Sequence, residues 1–226
     1  MKPIVIFGAG KIAEVVYFCF TEYSEREIVC FCVDNVFFNS NTFHGKPLIK
    51  YDQLLKNYPP DEYDIFVAVG YQNMNRFREE KCALFRSLGY TLASYIDPNS
   101  NIPKNCNIGF NSFLMSNVLI HPFVNIGNNV FVWSGVIIGH HSTIKDNCWL
   151  TSGCNISGNV SIGSNCFIAI NSTIGDSIDV GNNCFLGANT LIINSTKNDQ
   201  VFIIEQTKPI RLTTNQFLKV SKFDSI

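Results

Sequence analysis

The chain has 226 residues, 46% of them apolar and 15% charged, with 17 basic against 18 acidic side chains. A net charge of −1 without a Lys/Arg block excludes nucleic acid as the main partner, and no apolar run approaches the roughly 18 residues that cross a bilayer. The start, Met1–Phe7, is too short for a signal-peptide core and leads directly into Gly8-Ala9-Gly10, so a soluble cytoplasmic protein is expected.

The first elements are those of a small α/β domain. Pro3–Phe7 is an apolar strand that ends on Gly8-Ala9-Gly10-Lys11-Ile12-Ala13, a GxGxxA turn opening a helix that runs to about Glu22. Ile28–Val33 reads as a second strand closing on Asp34, and Ile65–Gly70 as a third. Asn73–Leu88 has the apolar spacing of an amphipathic helix. Residues 1–96 are therefore expected to form a Rossmann-like parallel-sheet domain. Gly8, Gly10 and Asp34 fit three readings: a dinucleotide-binding turn, a turn that only packs strand on helix, or a site for a nucleotide or nucleotide-sugar at the strand ends. Hydride transfer is the weakest, because no ordinary catalytic domain for it follows.

Asp97-Pro98-Asn99-Ser100 marks the point where the period changes. From Ile102 to Ile192, sixteen consecutive sixth positions hold only Ile, Leu or Val. Two residues before each of these stands a small or β-branched residue. Five of the nine cysteines, Cys106, Cys148, Cys154, Cys166 and Cys184, fall in that column and read as core side chains. Three residues after each aliphatic, ten of sixteen positions are Asn, a residue that tolerates the left-handed backbone of a sharp corner. Short strands with corners at this spacing make a parallel β-helix of hexapeptide repeats, in which residues 18 apart stack. No hexapeptide is interrupted. The expected division is 1–96, a β-helix over 97–200, and a polar tail over 201–226. No CxxC pair occurs and no metal is expected.

Of four histidines, His44 lies in a loop and reads as solvated, while His121 precedes a proline at a corner and reads as structural. Gly139-His140-His141-Ser142 differs, because two imidazoles occupy an outer corner where the coil needs neither. Such a pair is a candidate base, since only histidine titrates near neutral pH unperturbed.

A GxG α/β domain joined to a hexapeptide β-helix resembles the NeuD/PglD family of sugar acyltransferases, left-handed β-helix enzymes that transfer acyl groups from acetyl-CoA. The resemblance spans nearly the whole chain and supplies the left hand of the helix. It implies an N-acyltransferase for a nucleotide-linked amino sugar, an amino-dideoxyhexose of surface polysaccharide, working as a homotrimer without metal. By position, His140 aligns with the family base and Gly158, 18 residues on, with the glycine whose N–H faces the thioester oxygen. Ala188 falls on the pantetheine track, and Gly8, Gly10 and Asp34 would hold the nucleotide. The chain departs from the family in three places. His141 stands where an acidic residue orients the base. Trp133 and Trp149 replace an Asn and a His near the site, so that both tryptophans would flank it, either shaping the pocket or packing a trimer. The tail Thr207-Lys208-Pro209-Ile210-Arg211 replaces the family ending, with Lys208 and Arg211 set to meet a CoA phosphate or merely solvated. An O-acetyltransferase and a non-catalytic binding or assembly scaffold stay open beside the leading reading.

Overall fold

The run Ile4–Phe7 has no polar face to turn to water, and neither has Ile28–Val33; both lie at the centre of a sheet covered on its two sides. The protein is described by a computed structural model over residues 1–221; the last five residues of the 201–226 tail lie outside the described residues. The chain runs β1 (Ile4–Phe7), α1 (Lys11–Tyr23), β2 (Ile28–Val33), β3 (Thr42–Phe43), β4 (Lys46–Lys50), α2 (Leu54–Asn57), β5 (Asp64–Val67) and α3 (Arg76–Ser87). The strand order is β3-β4-β2-β1-β5, parallel except for the β3/β4 pair. Asp64, mostly buried on an otherwise apolar strand, is compensated by Arg26 at 2.6 Å.

The third strand stops at Val67, short of the expected Gly70, and the third helix begins at Arg76. The segment expected as a loop around His44 is a hairpin. Its two-residue turn, His44-Gly45, has φ of 47° and 74°, the left-handed pair that matches strand twist. His44 is also not simply solvated: its Nε2 lies 2.8 Å from Glu14 Oε1 on α1.

The second half begins with β6 (Tyr95–Ile96). Fifteen two-residue strands, β7–β21, then follow at intervals of six residues from Asn107–Ile108 to Leu191–Ile192, with β22 at Val201–Phe202. They close into three parallel sheets as a left-handed β-helix, the strands from β6 to β21 pairing 18 residues apart and β22 pairing with β20 at 16. The reason for the closure is visible in the backbone. All fourteen corner positions from Asn111 to Asn189 at six-residue spacing have positive φ: nine are Asn, and Phe123, Gly135, His141, Gly153 and Ser177 fill the other five. The aliphatic and small columns fill the prism interior. Four core thiols, of Cys148, Cys154, Cys166 and Cys184, each donate to a backbone carbonyl at 3.1 Å.

The outward side chains distinguish the three faces. The first face, β7-β10-β13-β16-β19, presents Asn107, Asn125, Thr143, Ser161 and Asp179. The third, β9-β12-β15-β18-β21, presents Leu119, Ile137, Asn155, Thr173 and Leu191. The second, β6-β8-β11-β14-β17-β20-β22, presents an aromatic ladder, Tyr95, Phe113, Phe131, Trp149, Phe167 and Phe185. On this ladder the α/β domain docks, with Phe66 of β5 against Phe113 and Phe131. Phe131 and Trp149 stack at 4.7 Å and 9°.

Arg78 of α3 is fully buried in the joint and has no carboxylate partner among the described residues. Its guanidinium lies 4.5 Å from the Phe131 ring centre and donates to the Asn129 side chain at 2.8 Å and backbone carbonyl at 3.1 Å. Burial lowers its pKa to about 10, so it remains charged at neutral pH. The corner asparagines continue the joint: Asn111 bonds both backbone groups of Val67, and Asn165 reaches Glu79 at 3.0 Å. Truncating the ladder at its centre, Trp149→Ala, is expected to lower stability by about 3–5 kcal/mol in urea unfolding. A loss under about 1 kcal/mol would show that the ladder does not hold the domains together.

Candidate active site

The corner between β12 (Ile137–Ile138) and β13 (Thr143–Ile144) carries the two histidines. His141 occupies the left-handed position, φ 59°, and its N–H donates to Pro122 O at 3.2 Å in the coil before it. Asn159 N–H reaches His140 O at 2.9 Å, and Ser177 N–H reaches Gly158 O at 3.0 Å. Residues 122, 140, 158 and 176 thus form one column down this edge. His140 Nδ1 and His141 Nδ1 are 3.1 Å apart, so one ring donates and the other accepts. When His140 donates, its Nε2 keeps a lone pair.

Gly158 makes room for that ring. A Cβ there would stand 2.7 Å from His140 Cε1 and 2.8 Å from Nε2, closer than carbon atoms pack. Its N–H donates to no acceptor among the described residues. The contrast with a neighbouring edge is instructive. There Asn128 N–H is taken by Asp146 Oδ1 at 2.8 Å and Ser164 N–H by Asn182 Oδ1 at 2.9 Å, each cap coming from the coil beyond. At the histidine edge the corresponding acid, Asp176, instead accepts the Ser177 hydroxyl at 2.7 Å. A basic nitrogen on an exposed imidazole and an uncapped backbone N–H on the buried glycine beneath it therefore meet at one edge, the pairing that acyl transfer requires of a base and an oxyanion donor.

Neither imidazole has a carboxylate partner; the ion pairs among the described residues are Arg26–Asp64, His44–Glu14 and Lys81–Asp34. The buried thiols offer no nucleophile: burial pushes Cys154 up to about 11, and contact with the Cys148 thiol together with burial raises Cys166 further.

The tryptophans do not flank this edge. Trp149 lies on the second face, opposite the histidine corner, and is 2% exposed beneath the α/β domain. Trp133 packs beside it at 5.8 Å, with a buried indole N–H that finds no acceptor among the described residues. The expectation that both shape the pocket or face a trimer neighbour gives way to a domain joint, because Trp149 is a rung of the covered face and Trp133 packs beside it. Ala188 stands on the corner between the second and third faces, away from His140. Lys208 and Arg211 are exposed, in a stretch without regular structure that precedes α4 (Thr214–Ser221).

A cavity of about 1080 Å³ opens at the C-terminal ends of β1, β2 and β5. Gly8, φ 125°, brings the chain within 2.6 Å of where its Cβ would meet Ala68 O, so only glycine makes this turn. A Cβ on Gly10 would meet nothing within 4 Å, leaving space before the helix N-terminus at Lys11. Asp34 lines the cavity but is held by Lys81 Nζ at 2.5 Å. Lys81, Lys11 and the rim residue Phe37 carry no sequence signal of their own. Because the α/β domain sits on the second face, its cavity and the histidine edge lie on different sides of the prism.

A coiled prism with this edge defines a hexapeptide-repeat transferase. Residues 105–140 and 159–194 match the bacterial transferase hexapeptide model, and residues 3–83 match the PglD N-terminal domain. The acetyltransferase domain of PglB from Neisseria gonorrhoeae is 26% identical, with TM-score 0.74 over 86% of this chain and 93% of that one. Perosamine N-acetyltransferase from Caulobacter crescentus, solved as a histidine-to-asparagine mutant with CoA and GDP-perosamine, is 20% identical, with TM-score 0.80 over 89% and 93%. WeeI from Acinetobacter baumannii is 18% identical, with TM-score 0.76 over 89% and 96%. No curated protein matches the chain. The chain belongs to the NeuD/PglD-like family of hexapeptide-repeat sugar acyltransferases.

Gly158→Ala tests the edge. The added methyl must push the imidazole aside, and activity is expected to fall about a hundredfold while the melting temperature stays near wild type. Unchanged turnover would remove Gly158 from the site.

Proposed function

We propose that the protein is an acetyl-CoA-dependent N-acyltransferase for a nucleotide-linked amino sugar, an amino-dideoxyhexose of surface polysaccharide. The observation that carries the reading is His140 lying over Gly158, a base and a free N–H on one edge. His140 Nε2 takes the proton as the sugar amine attacks the thioester carbonyl. Gly158 N–H receives the developing oxyanion, a contribution of order 3 kcal/mol for one well-placed donor. His140 then returns the proton to the departing CoA thiolate, and no covalent enzyme intermediate forms. The absence of a carboxylate beside either imidazole suits an amine nucleophile better than a hydroxyl, which needs a stronger base.

In this reading the cavity holds the nucleotide. The helix N-terminus and Lys11 face the diphosphate past Gly8 and Gly10, while Asp34 orients Lys81 at the wall. Trp133 and Trp149 then serve the sugar indirectly, by seating the loop that lines the cavity. Ala188, Lys208 and Arg211 belong to the pantetheine and phosphate track of a neighbouring copy. We take the protein to be a homotrimer, as the family resemblance implies; the separation of cavity and histidine edge on different sides of one prism supports a site completed by a second copy. No helix among the described residues is long and apolar enough to cross a membrane; in this reading the enzyme works in the cytoplasm, on acetyl-CoA and a nucleotide-sugar.

The test is thiol release from acetyl-CoA with UDP-, dTDP- and GDP-linked 3-amino and 4-amino sugars, wild type against His140→Ala. Turnover on one sugar, falling about 10²–10⁴-fold in the variant, is expected. Full activity in the variant would dismiss His140 as the base, and no turnover with any sugar would dismiss the acceptor class.

A further inference from the structure

The left-handed corners are filled by Asn, Gly or Ser, with two exceptions, Phe123 and His141. A bulky aromatic at φ 67° is strained, and nothing in the coil asks for it: Phe123 is 54% exposed and contributes no packing to the prism interior. Strain retained at a surface position without a packing return points to a local task. Phe123 lies one coil from His141, and the two rings stack at 4.7 Å with 29° between their planes. His141 therefore has an aromatic face on one side and His140 Nδ1 at 3.1 Å on its edge. The other titratable groups of this edge are His121 at its head and Asp176 beyond Gly158, whose carboxylate takes the Ser177 hydroxyl.

We propose that Phe123 and His141 together replace the carboxylate that would orient and support the base, an inference that rests on His140 being that base. His141 Nδ1 accepts the His140 Nδ1–H, which holds the tautomer with a basic Nε2. When His140 Nε2 takes the acceptor's proton, one positive charge resides on the imidazole pair, and the negative π face of Phe123 stabilises the part that spreads to His141. The same proton leaves with the CoA thiolate, and the pair returns to neutral. Phe123 touches no reacting atom and is a positioning residue.

The test is Phe123→Asn, which installs the residue the coil prefers at a corner, with Phe123→Trp beside it. The Asn variant should melt at or above the wild-type temperature while kcat falls about threefold to tenfold. KM for acetyl-CoA should stay within about twofold, and the acid limb of the kcat/KM profile should move to lower pH because the protonated pair has lost its support. The Trp variant, with the stronger π face, should keep or exceed wild-type kcat. Nitrogen-15 histidine spectra supply a readout independent of turnover: His141 should carry its proton on Nε2 in the wild type and lose that single tautomer in the Asn variant. Wild-type kcat, pH profile and tautomer in Phe123→Asn would overturn the proposal. Absence of turnover in the wild type itself would instead sink the acyltransferase reading, and the tautomer would still decide the role of Phe123.

Discussion

A backbone turned left-handed at every sixth residue is the constraint on which the rest of this molecule depends. It closes three short strands into a coil and places residues 18 apart directly on one another. Once that register is set, each column of the sequence becomes a physical surface. The aliphatic and small columns become a dry interior, and the outward column of one face becomes a ladder of six aromatics. A corner column of asparagines becomes a line of amide bonds, Asn111 to Asn129 to Asn147 at 2.8 Å each. The column through residues 122, 140, 158 and 176 becomes the edge where an imidazole lies over a glycine.

The same register couples the two domains. The chain from Gly70 to Arg78 lines the cavity with Tyr71, Gln72 and Asn73 and then grips the prism. Tyr71 sits against Trp149 and Phe167, bridging the gap between those rungs of the ladder. Asn73, Met74 and Asn75 are all left-handed, a strained turn held by Asn75 bonding Cys166 O at 3.3 Å and Arg78 at 3.1 Å. An arginine buried without a counter-charge is costly unless its donors are met. Here Asn129, Asn75 and Gly70 meet them, and the fork lies against the stacked rings of Phe131 and Trp149. One wall of the cavity is thus positioned by the prism and not by its own domain.

The period was legible because every member of the aliphatic column obeys it, and the cysteines were read correctly as core for the same reason. His140 is marked in the sequence by two imidazoles at a corner that needs neither, whereas Gly158 has no signal of its own and enters only through the family resemblance, one coil on. The aromatic ladder obeys the same spacing, yet it shows only every third repeat and therefore hides among the outward positions; Trp149 belongs with Phe113, Phe131 and Phe167 of that ladder, and Trp133 packs against it. The β3–β4 hairpin was hidden because Lys46-Pro47-Leu48-Ile49-Lys50 has a proline and flanking charges, the dress of an edge strand. Arg78 and Lys81 gave no signal, since an amphipathic helix pattern says which face is apolar but not which cation that face will bury.

The central claim, that one edge of the coil supplies both base and oxyanion donor, is tested most directly by a crystal structure of the protein with acetyl-CoA. The account predicts the thioester carbonyl oxygen about 3 Å from Gly158 N, with His140 Nε2 facing the carbonyl carbon from the acceptor side. A thioester seated at another corner, or turned so that its oxygen meets solvent while Gly158 N–H stays unoccupied, would contradict it.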